Sequence, residues 1–215
     1  MKIPIISHYW LWFKEYIYRI ISRGRLINHN FSIISNDCWG GGVYEDLNIQ
    51  YKTPTVGLFF YPEDYIEFVR HFKELIYKDL NFVTQSKYQE CNVKREKNGL
   101  TYPIGIVGGV EIHFLHYKSQ QDAMEKWIRR RERINFDNLF FKFSDRENCS
   151  YKHIKEFCML PISNKVVFTS KPLDLIDVVF LPKYEGQPTI GDIYTDRWAY
   201  RSQFDVVKWL NKDKK

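Results

Sequence analysis

FSIISNDCWGGGVYEDLNIQYKTPTVGLFF, residues 31–60, is the stretch on which the fold turns. FSIIS (31–35) is a short apolar run of strand length. NDCWGGG (36–42) breaks it with polar residues and three successive glycines, and VYEDLNIQY reads as a short helix. TVGLFF (55–60) then reads as a second buried strand, and Pro62, Glu63 and Asp64 suit a helix start. Tyr65, Ile66, Phe68, Val69, Phe72 and Ile76 continue from there at a 3.6-residue period. Strand, loop, helix, strand, helix is the grammar of an α/β sheet.

The same alternation extends outward. IGIVGG and VEIHFLHY (104–117) read as two strands joined across Gly108-Gly109. Residues 119–133 form a helix with Ala123, Met124, Trp127 and Ile128 inward and a basic outer face. LFFKF (139–143), KVVFTS (165–170) and DVVFL (177–181) read as strands. HIKEFCML (153–160) reads as a helix, and Tyr200, Phe204, Val207 and Leu210 close the chain as one amphipathic helix. The polar, aperiodic stretch 84–99 is expected to be a long exposed loop or a division between two small lobes. The fold class is therefore α/β, a mostly parallel sheet flanked by helices. Residues 1–28 are set apart as an N-terminal amphipathic helix ahead of a 29–215 α/β domain. Within it, Trp10, Phe13, Ile17 and Ile20 share one side and Lys14, Arg19 and Arg23 the other, with Gly24 as the stop. Such a helix either docks on its own domain or lies on a membrane surface.

Composition narrows the classes. The 215 residues are 44% hydrophobic and 17% aromatic, which excludes a disordered chain. A mean hydropathy of −0.44 and the lack of a ~20-residue apolar run exclude a spanning helix. A net charge of +6 favours an anionic partner. The four cysteines show no C-x-x-C pair and no metal-type grouping with the six histidines, so reduced thiols, a cytoplasmic location and no required metal are expected. Nucleic acid is not an expected partner: the basic run RRRER (129–133) adjoins only Trp127, which belongs to an apolar stripe.

Three strand ends carry groups with chemistry. In the first, Gly40, Gly41 and Gly42 would let backbone amides approach an anion at a helix N-terminus, with Asn36, Asp37 and Trp39 adding polar and stacking contacts. Cys38 at that helix start is a candidate nucleophile without an identifiable base. In the second, Glu111, His113, Leu115 and Tyr117 share one strand face while His116 and Lys118 share the other. One histidine is expected to be buried; His116, beside Lys118, is the better candidate base. In the third, Asp145 and Arg146 emerge from a strand, Asp145 as base or helix cap and Arg146 as phosphate clamp, with Ser170 and Lys171 on the next strand end. In an open α/β sheet such ends gather at one edge, where ligands bind.

The segments FSIISNDCWGGGVYEDLNIQYKTPTVGLFF, YPIGIVGGVEIHFLHYKSQQDAMEKWIRRRERINFDNLFFKFSDR, KVVFTSKP and FDVVKWLN, taken together, resemble a bacterial family labelled as exopolysaccharide biosynthesis proteins, a domain of unknown function. The resemblance spans most of residues 31–210 and implies an α/β fold and an association with surface-polysaccharide synthesis. It brings no catalytic residues. The leading expectation is a glycosyltransferase-like protein using a nucleotide-activated sugar, peripheral to the membrane and facing a lipid-linked acceptor. The alternatives are acyl or other group transfer onto a glycan, centred on Cys38 or a histidine, and a non-catalytic scaffold.

Overall fold

The computed structural model describes residues 5–212, with side chains from Tyr9 onward. Its centre is a four-stranded parallel sheet of β1 (Ser32–Ser35), β5 (Leu139–Ser144), β6 (Lys165–Thr169) and β7 (Val178–Phe180), in the order β1-β5-β6-β7. Successive residues point to opposite faces of a strand, so the apolar pairs Ile33-Ile34, Phe140-Phe141 and Val166-Val167 each feed two cores. Strands buried on both faces read as continuous apolar runs, the pattern of a helix-covered parallel sheet.

On one face lie α2 (Trp39–Leu47), α8 (Arg197–Arg201) and α9 (Val206–Leu210), packing Trp39, Tyr44, Tyr200 and Leu210 against Phe140 and Phe168. The other face meets α3 (Pro62–Arg70), α4 (Phe72–Leu75), α6 (Gln120–Arg131) and α7 (Tyr151–Met159). The long excursion between β1 and β5 also holds a second sheet, antiparallel and three-stranded: β2 (Leu80–Val83), β3 (Ile104–Val107) and β4 (Val110–His113). Gly108 and Gly109 turn β3 into β4 with φ of +56° and +90°, a conformation that side chains bearing a Cβ resist. A 21-residue helix, α1 (Ile5–Arg25), precedes the sheet. Among the described residues, no helix is long and apolar enough to cross a membrane.

Several local expectations need correction. TVGLFF builds no strand ladder; Phe59 makes one antiparallel bridge to His113, and the Phe60 amide donates to the Asn36 carbonyl at 3.0 Å. The segment is thus a tie joining the end of β1 to the end of β4. The 84–99 stretch contains a helix, α5 (Gln89–Asn98), which buries Cys91; its polar outer surface hides the periodicity a helix is read from. The C-terminal helix is two short ones, broken between Arg201 and Val206. The helix begun at Pro62 breaks at His71, α1 runs past Gly24 to Arg25, and β2 carries no clear sequence signal. Asn48, at φ +55°, caps α2 immediately after Leu47.

Candidate active site

A cleft of about 220 Å³ opens at the carboxyl ends of β1 and β5. Asn36, Asp37 and Cys38 line it from the first strand, Arg146 and Glu147 from the second. Its other wall belongs to the antiparallel sheet and α5: Cys91, Lys94, Tyr102 and His116. The Phe59 tie closes the gap between the walls, and Tyr61 lines the cleft beside it.

Five residues singled out from sequence therefore meet here: Asn36, Asp37, Cys38, His116 and Arg146. The others have different placements. Gly40, Gly41 and Gly42 are not a loop but the buried first turn of α2. A Cβ on Gly40 would stand 3.2 Å from Ile33 and Ser35, and one on Gly41 3.1 Å from Val56. The glycines let the helix lie close on the sheet, which replaces the expected anion cradle. Trp39 points into the core against Phe168 and Tyr200. Asp145 is buried and its carboxylate accepts from the Ser170 amide and hydroxyl and from the Ile190 amide, a structural knot that commits both Asp145 and Ser170. Lys118 and Lys171 are exposed and stand outside the cleft lining.

Beneath the cleft floor, the Lys142 ammonium is fully buried and lies 2.5 Å from Asp37 Oδ2. Ser35, Ser144 and the Trp39 amide also hydrogen-bond the Asp37 carboxylate. Burial opposes ionisation of Asp37, but Lys142 and Arg146 outweigh it and hold the carboxyl below its ordinary value. Burial lowers the Lys142 pKa despite Asp37. Cys38 sits beside this carboxylate; burial and Asp37 push its thiol up to about 12, so it rests as a neutral thiol at ordinary pH.

Cys91 has the opposite surroundings. It is the third residue of α5, inside the turn where the helix presents its positive end. Its Sγ stands 3.7 Å from His113 Nδ1 and 3.5 Å from the Tyr102 hydroxyl. On the far side of the imidazole, His113 Nε2 comes within 2.9 Å of Glu111 Oε1, without the in-line approach of a full hydrogen bond. Glu111 is itself fixed by the Ser86 hydroxyl and by the Lys87 amide at 2.9 Å. Phe59 stacks flat on the imidazole at 4.4 Å. Burial alone would favour the neutral forms of all three groups. Their mutual contacts prevail: the thiol and the Glu111 carboxyl are held below their ordinary values and the imidazole above its own. A thiol facing an imidazole, with a carboxylate behind, is the arrangement of nucleophile, base and orienting group.

Sequence reading placed Glu111 and His113 on one strand face, and the strand in fact ends at His113, burying it and leaving His116 beyond the ladder. It had no means of bringing in Cys91, which lies in a stretch without apolar period. Lys142 carries no signal of its own in the sequence, because it interrupts an aromatic strand like an ordinary edge lysine.

Residues 12–211 match the model of a domain of unknown function, DUF1919. The chain belongs to the DUF1919 family. It is also 35% identical over 203 residues to an uncharacterized protein of Haemophilus influenzae, with 92% of each chain covered. The matched span includes every residue named above as lining the cleft, Asn36 through Glu147.

Proposed function

We propose that this protein is a group transferase that works through a covalent adduct on Cys91, with His113 as proton carrier and Glu111 as its positioning partner. The observation that carries the reading is the Sγ to Nδ1 approach of 3.7 Å at the wall of a cleft. Cys91 takes the role that sequence reading offered to Cys38, because its thiol is eased toward the thiolate while that of Cys38 is driven up to about 12.

Acyl transfer fits the group. The Cys91 thiolate attacks the carbonyl carbon of an activated acyl donor. A carbon–sulfur bond forms as the bond to the leaving group breaks, and the leaving group takes the proton of the His113 imidazolium. An acceptor hydroxyl then gives its proton to neutral His113 and attacks the thioester, which restores thiolate and imidazolium. A glycan hydroxyl as acceptor, and surface-polysaccharide synthesis at the cytoplasmic face as setting, rest on the resemblance described under Sequence analysis. Lys94 and Arg146 in the cleft wall supply positive charge for an anionic donor, which would take Arg146 from its long contacts with Glu147 at 3.9 Å and Asp192 at 3.8 Å.

The test uses p-nitrophenyl acetate as a small acyl donor. One equivalent of p-nitrophenol released in a burst, with the acetyl group mapped to Cys91, is expected. Cys91→Ser abolishes the burst and Cys38→Ser leaves it. A burst that survives Cys91→Ser, or none at all from folded protein, contradicts the proposal. A second reading, glycosyl transfer from a nucleotide-activated sugar, is favoured by the position of the cleft at parallel strand ends beside Arg146. It predicts calorimetric binding of a nucleoside diphosphate that Arg146→Ala abolishes and Cys91→Ser does not affect.

A further inference from the structure

Helix α1 is turned the unexpected way round. Its polar side faces the protein: Arg201 holds Glu15, Arg19 and Arg201 both reach Asp46, and Tyr18 packs edge-on against Trp198. Glu15, Tyr18, Arg19 and Ser22 are spaced to form one stripe of the helix, and that stripe is the docked one. At 100° per residue, the opposite arc holds Phe13, Tyr16, Ile17 and Ile20, with Trp10 and Ile21 toward its edge. These six are all exposed, from 37% for Ile17 to 62% for Trp10. Water-soluble surface helices put their apolar arc inward. Here no described residue covers that arc, and it carries no acidic residue.

Its margins are basic. Lys14 borders the arc on one side and Arg23 on the other, and among the described residues neither is paired with a carboxylate; Lys14 lies over the Trp198 ring and Arg23 donates to the Asp46 carbonyl. Aromatic rings mixed with aliphatic side chains, bordered by cations, are the chemistry of the boundary between headgroups and acyl chains. Lys14 and Arg23 complement anionic headgroups there. A partner copy would have to bring a matching acidic rim, and α1 itself offers none.

We propose that α1 lies flat in the interface of an anionic bilayer, immersing its Phe13–Ile20 arc and holding the rest of the protein against the membrane surface. This does not depend on the role of Cys91.

The test is sedimentation of the full chain with vesicles of phosphatidylcholine, with and without phosphatidylglycerol. Binding to the phosphatidylglycerol vesicles is expected, reduced several-fold by raised salt and by omission of the anionic lipid. Brominated acyl chains should quench tryptophan emission in the bound state. The double variant Phe13→Glu with Ile20→Glu should lower the bound fraction at least tenfold while its urea midpoint and its Cys91 alkylation rate stay unchanged. Two results overturn the proposal. One is a folded wild-type chain that ignores anionic vesicles. The other is a dimer, detected by sedimentation equilibrium, that the double variant dissociates while vesicles have no effect.

Discussion

Lys142 Nζ and Asp37 Oδ2 meet 2.5 Å apart beneath the cleft, the lysine on β5 and the aspartate just past β1. A fully buried lysine beside two packed aromatic rings is tolerated because this carboxylate faces it; Trp39 and Phe168 each lie 5.9 Å from the ammonium. The pair fixes the loop that places Asn36 and Cys38 in the cleft. Removing either partner alone, in Lys142→Met or Asp37→Asn, should cost about 3–5 kcal/mol by urea unfolding, because the other is stranded in the core. The double variant should cost less than the sum of the two. Additive losses would show that the groups act independently.

Acidification should act on the same pair. Folding holds the Asp37 carboxyl below 3.8, so as pH falls the unfolded chain takes up that proton first. The stabilisation is complete above the ordinary carboxylate value and disappears as pH drops through the lower folded value. Asp37→Asn should flatten this part of the stability curve, measured by urea midpoints across the acid range. An unchanged acid slope would contradict the assignment.

The glycines of α2 and α1 should respond in opposite directions to alanine. Gly40→Ala drives a methyl to 3.2 Å from Ile33 and Ser35 and should cost about 1–3 kcal/mol. Gly24, inside α1, has open space around it, and Gly24→Ala should gain up to about 1 kcal/mol through helix propensity. Thermal or urea midpoints decide. A harmless Gly40→Ala would mean that α2 can lift from the sheet.

These glycines also show how far the sequence could be read. The strand Ser32–Ser35 and its turn into a helix were legible from an apolar run meeting a break, and so were β5, β6 and the Gly108-Gly109 hairpin. Whether three glycines make a ligand loop or a close-packed helix turn depends on how the helix folds back on Ile33 of its own preceding strand and on Val56 of the later tie, a tertiary arrangement beyond any local pattern. The site divides along the same line. Asn36, Asp37 and Arg146 follow their strands to one edge, as parallel strands must. Cys91 reaches His113 only through the tertiary packing of α5 on the antiparallel sheet, which no local pattern encodes. Asp145 has the residue type of a base, but its three donors identify it as structural.

Asp46 should control the seat of α1. Its carboxylate accepts from Arg19, Arg197 and Arg201, and the Arg201 side chain has no solvent exposure. Asp46→Ala leaves that guanidinium with Glu15 alone and should cost about 1–3 kcal/mol in urea unfolding, with earlier proteolysis within α1. Retained stability and unaltered cleavage would show that α1 is seated by other contacts.

The central claim is that Cys91 is an activated thiol served by His113 and Glu111, and the pH dependence of alkylation by iodoacetamide tests it most directly. Cys91 should react fastest of the four cysteines, with a half-point below the ordinary thiol value of 9.0, while Cys38 and Cys149 stay protected by values raised to about 12. Glu111→Gln should move the Cys91 half-point back upward and slow its reaction near neutral pH about tenfold for each unit of that shift. A Cys91 that titrates at or above 9.0, or one indifferent to Glu111→Gln, would contradict the account.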